Sequence, residues 1–168
     1  VITGTANPTP GYRGMHSYEL FFDDFLVPAT HLVGGDDGEG KGFYLPMAGF
    51  TGGRIQTAAR AVGVMQAAFE KALDYARQRH TFGRPIGDDQ LSGIKLARRA
   101  SRVDAAPVVT YRAAALRERG TGDGEAAMAK LLASNAAGTV TRECIQIHGG
   151  IGYAEESAVS RYWVGARV

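Results

Sequence analysis

A chain of 168 residues with 45% apolar content is long enough for one domain with a sizeable core. Its formal charge of +2 offers no bulk field for nucleic acid or an anionic membrane surface, and no apolar run reaches the roughly 20 residues of a spanning helix. The single cysteine, Cys144, excludes an internal disulfide framework and fits a reducing compartment, so a cytoplasmic protein (bacterial cytosol or organelle matrix) is expected.

Residues 1–40 read as the end of a β domain and a linker. Gly4, Pro8, Pro10, Gly11 and Gly14 punctuate the opening, and an aromatic stretch from His16 to Val27 reads as a strand stopped by Pro28. One or two strands cannot bury both faces, so this piece is expected to pair with further sheet. Residues 34–40 read as a flexible acidic linker; Asp36, Asp37 and Glu39 lack the alternating frame of a calcium loop.

From residue 41 the pattern is helical. Phe43, Tyr44, Met47 and Phe50 suggest a short apolar turn, interrupted by Thr51-Gly52-Gly53. Ile55, Ala58, Ala59, Val62, Met65, Phe69, Ala72, Leu73 and Ala76 then follow at the spacing of an amphipathic helix. A second helix is predicted over 90–118, apolar on two faces, with Pro107 inside it predicting a kink. Its Lys95, Arg98, Arg99 and Arg102 form a basic stripe, read as a solvated face rather than a phosphate track. A third helix over 125–147 carries mostly small residues on one face, and Ser157 can cap a fourth over 158–167. The fold class is therefore mainly α: an up-and-down helical bundle over 41–168, preceded by a short β segment over 1–40. The opening on Val1 rather than Met, and the stop at Val168 within a helical pattern, read as signs of a longer parent protein.

Two breaks could carry chemistry. In residues 79–85, Arg79, Phe82 and Gly83 sit where one helix ends. A guanidinium beside a permissive glycine suits a diphosphate, but a basic helix end with a proline stop has the same appearance. In residues 146–152, Gly149, Gly150 and Gly152 let backbone approach a ligand closely, although a glycine cap alone looks alike. His80 and His148 lie one in each break and could meet. Cys144 falls on the small-residue face and reads as core.

Together the two breaks resemble the acyl-CoA dehydrogenase family. The matching pieces are Gly53-Arg54, residues 75–86 (YARQRHTFGRPI), Gln90, Ala129-Lys130 and residues 146–153 (QIHGGIGY), with residues 21–28 (FFDDFLVP) similar to the last strand of that family's middle domain. The resemblance implies a flavoenzyme that removes the α-proton of an acyl-CoA thioester with a glutamate, passes the β-hydride to FAD, and is reoxidised by an electron-transferring flavoprotein. It further implies that Arg79, Thr81, Phe82, Gln90, Gln146, Ile147, Gly149 and Gly150 contact FAD across a subunit interface, and that Arg54 lies near the acyl-CoA pocket. The bundles would pack into a homotetramer or dimer. The expected catalytic glutamate falls beyond Val168, and Gly53 occupies the alternative position for a base. Val164-Gly165-Ala166-Arg167 replaces the common Arg-Asp-Ala-Arg. An acyl-CoA oxidase of the same fold, and a helical assembly module without catalysis of its own, are the alternatives.

Overall fold

The computed structural model describes residues 1–12 and 14–167, which form two compact units, Val1–Phe50 and Thr51–Val168.

In the first unit, β1 (Ile2–Asn7) and β2 (Ser17–Phe22) form an antiparallel hairpin, with Ile2 opposite Phe22 and Asn7 opposite Ser17. Every residue of both strands is exposed. An isolated two-stranded ribbon is marginal at best in water, so its apolar side chains call for a cover. The strand ends well before Pro28, because Asp24 takes a left-handed φ of 46° that no strand continues. The stretch read as a flexible linker is a folded turn. Gly35–Gly38 forms a 3-10 helix, and buried Gly38 packs so closely on the Val33 carbonyl that a Cβ would collide with it.

Helix α1 (Tyr44–Gln78) runs unbroken through Thr51-Gly52-Gly53, contrary to the expected interruption. Each interior glycine costs about 1 kcal/mol relative to alanine. A tertiary contact offsets this at the same place: buried Thr51 donates its hydroxyl to the Asp123 carboxylate at 2.8 Å. Helices α2 (Gln90–Glu118) and α3 (Asp123–His148) follow. Pro107 lies within a continuous α2.

Ion pairs set the direction of α2 against α3. Lys95 and Arg99 reach Glu143 at 3.8 and 3.5 Å, and Arg112 reaches Glu125 at 3.8 Å, so the two helices are antiparallel. Two members of the basic stripe thus lean on Glu143, although the Lys95 side chain stays 40% exposed. They tie α2 to α3, and the Arg99 side chain is only 12% exposed. Two contacts set α1 parallel to α3: Thr51 with Asp123 at one end, and Tyr75 stacked on His148 at the other. They are separated by about 36 Å along α1 and about 37 Å along α3 at 1.5 Å per residue.

The core is built largely of alanine. Ala58, Met65, Ala68, Ala72 and Ala76 of α1 meet Val103, Ala106 and Ala113 of α2 and Ala129, Ala133, Ala137, Val140 and Cys144 of α3. Small side chains permit close helix approach, which dispersion then rewards. One predicted face of α2 is left exposed, with Leu91, Ile94 and Val108 open to solvent; Tyr111, assigned to the other face, is exposed too. Met128, Leu131 and Leu132 are exposed on α3.

After α3 the chain makes a single helical turn, α4 (Gly150–Tyr153), and then α5 (Ala158–Gly165). Ser157 stands at the α5 N-cap but makes no side-chain capping bond. The turn is held by Arg161, which donates to the carbonyls of Glu155 and Glu156 at 2.9 Å each. Among the described residues no helix is long and apolar enough to cross a membrane, and no cluster of acids, histidines and cysteine could hold a metal ion.

Candidate functional site

The break after α1 is a miniature hairpin. β3 (His80–Thr81) pairs antiparallel with β4 (Arg84–Pro85) and is closed at its base by Ile86 N–H donating to the Arg79 carbonyl at 2.8 Å, while Arg79 N–H ends the last turn of α1 on the Tyr75 carbonyl, also at 2.8 Å. Thr81 pairs with Arg84, which leaves Phe82 and Gly83 as a two-residue turn at φ 52° and 82°. Two successive positive φ values define a type I′ turn. Gly83 occupies it without strain, whereas Phe82 carries a steric cost of about 1–2 kcal/mol. Phe82 is also fully exposed, at 105%. The hairpin therefore holds a strained aromatic ring out at its tip.

The two arginines of this hairpin divide. Arg84 is bound to Asp89 at 2.6 Å. Arg79 has no carboxylate partner among the described residues and lines a groove.

The opposite wall comes from the end of α3. Gly149 breaks the helix at φ 66° and ψ −144°, a backbone state essentially reserved for glycine. Its N–H returns to the Gln146 carbonyl at 3.2 Å. Gly152 then lets α4 fold back on α3: a Cβ there would lie 2.6 Å from the Ile145 carbonyl oxygen and 2.8 Å from the His148 Cβ. Gly149 and Gly150 have open space where a Cβ would stand.

The groove between these walls has a volume of about 610 Å³. Of the residues expected from sequence, Arg79, Thr81, Ile147, Gly149 and Gly150 line it. Phe82 stands at the hairpin tip, Gln90 is exposed at the start of α2, and Gln146 is exposed in the last turn of α3; none of the three is in the lining. Arg54 is half-buried and lies roughly 35 Å away along α1. Tyr75, Ile86, His148 and Ile151 also line the groove but were not among the expected contacts. Tyr75 and His148 stack with ring centroids 4.4 Å apart at 24°. His148 thus meets Tyr75, while His80 turns back to the Gln78 carbonyl at 2.9 Å. Period-3.6 patterning flags neither: Tyr75 reads as helix flank and His148 as helix end.

Chemically, the groove offers one guanidinium, side-chain-free backbone and an aromatic shelf, but no carboxylate, cysteine or lysine. Such a lining has Arg79 to donate to anionic oxygens and glycine backbone open to close approach, with Tyr75 and His148 as its other titratable side chains. Nearby Cys144 is no nucleophile. Burial pushes its thiol up from 9.0 to about 12, with Arg99 opposing and Glu143 adding to the rise.

A family model described as "Acyl-CoA dehydrogenase, C-terminal domain" matches residues 40–168. The chain belongs to the acyl-CoA dehydrogenase family. The chain is 45% identical to an acyl-CoA dehydrogenase of Bacillus subtilis over 94% of its own length and 41% of that protein. It is 42% identical to the (2S)-methylsuccinyl-CoA dehydrogenase of Cereibacter sphaeroides, covering 99% of the chain and 30% of that protein. The butyryl-CoA dehydrogenase structure from Megasphaera elsdenii superposes with a TM-score of 0.89 at 37% identity, over 99% of the chain and 43% of that structure. The chain thus spans less than half the length of these acyl-CoA dehydrogenases, whose names carry different acyl groups.

Proposed function

We propose that this chain belongs to an FAD-dependent enzyme that performs α,β-dehydrogenation of an acyl-CoA thioester, and that it contributes the clamp for the FAD diphosphate together with the packing surface of an oligomer. The observation that carries this reading is the groove, which gathers Arg79 and Thr81 with Ile147, Gly149 and Gly150 although the two stretches are far apart in sequence.

The residues present fit the cofactor. Arg79 supplies a fork of N–H donors for phosphate oxygens, and the glycine turn allows backbone approach that any Cβ would hinder. When bound, FAD supplies the hydride acceptor of the reaction. This chain's residues bind and orient; proton abstraction needs a carboxylate from outside the groove. An electron-transferring flavoprotein is the proposed oxidant. Residues 1–40 would be the end of a β domain, and 41–168 the helical bundle.

The strained, exposed Phe82 and the exposed Leu91, Ile94, Tyr111, Met128 and Leu131 support assembly into a dimer or tetramer, in which Phe82 and Gln90 reach a cofactor held mainly by a neighbouring subunit. Arg54 is proposed to lie beside the acyl-CoA pocket, on the strength of the family resemblance. The single buried Cys144 is compatible with a cytoplasmic setting.

The test is an anaerobic titration of the intact protein. Acyl-CoA is expected to bleach the oxidised flavin band. Persistence of that band with every acyl chain length would refute the assignment. The 168-residue chain alone is expected to show no turnover, and measurable turnover would overturn the division of labour between clamp and base.

A further inference from the structure

Tyr75 and His148 lie in the groove beside Arg79, and the geometry of His148 determines what it can recognise. Its Nδ1 lies 2.7 Å from the Cys144 carbonyl oxygen. A carbonyl only accepts, so Nδ1 carries the hydrogen and donates it. In the neutral imidazole the second nitrogen, Nε2, is then a bare acceptor. Tyr75 stacks on the ring at 4.4 Å and holds its plane, so the orientation is fixed from two directions. Arg79, a permanent donor, and His148 both line the groove.

We propose that Tyr75 and His148 form a second recognition element of the cofactor groove, in which Nε2 of His148 accepts a hydrogen bond from a hydroxyl or amino group of the bound nucleotide while Arg79 takes its phosphates. This rests on the FAD reading above and adds a division of labour within it. An acceptor lone pair repels phosphate oxygens and selects the sugar or base portion of the ligand. The last turn of α3 therefore does more than end in glycine: it sets a polar atom at a fixed place.

The test measures FAD affinity of the intact protein by titration calorimetry at low and at high salt. His148→Phe keeps a ring to stack on Tyr75 but lacks Nε2. It is expected to weaken FAD binding about five- to tenfold, by the same factor at both salt concentrations, since a neutral hydrogen bond is little screened. Arg79→Ala is expected to cost more at low salt than at high salt. His148→Gln, which keeps an acceptor, is expected to recover part of the loss and serves as the reporter should the phenylalanine variant fail to fold. Unchanged affinity in His148→Phe, or a loss that shrinks with salt as that of Arg79→Ala does, would overturn the proposal. If Arg79→Ala is also without effect, or the unaltered protein binds no FAD, the cofactor reading itself falls; an Arg79 effect without a His148 effect removes only this inference.

Discussion

Arg79 and Arg84 lie five residues apart in one small hairpin, and only the first faces the groove. Asp89 holds the second at 2.6 Å. Arg79→Ala is therefore expected to weaken FAD binding roughly ten- to a hundredfold, the range of a lost charge-assisted hydrogen bond. Arg84→Ala is expected to leave affinity within about threefold, because an exposed ion pair contributes little. Calorimetry on the two variants side by side checks the contrast. Cys144 supplies a residue-scale prediction about pH. Its folded thiol keeps its proton up to about 12, whereas the unfolded thiol ionises near 9.0. Between those values the unfolded chain binds fewer protons, so stability falls as pH rises through this window. Urea midpoints at pH 8 and pH 10.5 are expected to converge more in Cys144→Ala than in the parent; an identical decline in both would contradict the burial argument.

At the scale of elements, the glycine turn contains positions with opposite requirements. Gly152 has a backbone oxygen and the His148 Cβ within 3 Å of where a Cβ would sit. Gly152→Ala must push α4 away from α3, with an expected loss of about 1–3 kcal/mol in thermal or urea unfolding. Gly150→Ala meets nothing within 4 Å, so the fold is expected to tolerate it. Gly150 lines the groove, however, and the added methyl is expected to reduce FAD affinity while the melting temperature holds. The helix start behaves differently. Gly52 and Gly53, which follow Thr51, speak for a break there. The Thr51 hydroxyl in fact ties α1 to Asp123, and Thr51→Val is expected to cost about 1 kcal/mol by removing the buried hydroxyl's bond to a carboxylate that water can then solvate. Local propensity spoke for an interruption, and a contact 72 residues away in sequence overrode it.

For the whole molecule, the exposed apolar side chains on α2 and α3 are the faces proposed to pack in an oligomer. Tyr111→Asp with Leu131→Asp is expected to shift the intact protein to a smaller species in sedimentation velocity, and to weaken FAD binding with it if the groove is completed across subunits. An unchanged sedimentation coefficient would assign those side chains to an ordinary surface.

Much of this organisation was legible before any coordinates. Alanine periodicity is a property of a helix's own geometry, so α2 and α3 appeared nearly at their observed bounds. Glycine and arginine at the two breaks carried the family resemblance. The hairpin at residues 80–85 was not legible, since two-residue strands have no pattern to read; its type I′ turn has the unfavourable Phe82 at its first central position. Nor was the fate of Arg99 within the basic stripe, because whether it is solvated depends on where Glu143 lands. What the amino-acid sequence determined by itself was which long segments are helical, the start of α1 apart, where they end, and which residue types stand at those ends, because each depends on neighbours within a turn or two. Only the tertiary structure decided that Arg79 and Gly149 share a groove. That follows from α1 and α3 running parallel, pinned by Thr51–Asp123 at one end and Tyr75–His148 at the other, over nearly equal lengths. Such a register is set by contacts between helices rather than by the periodicity of either one.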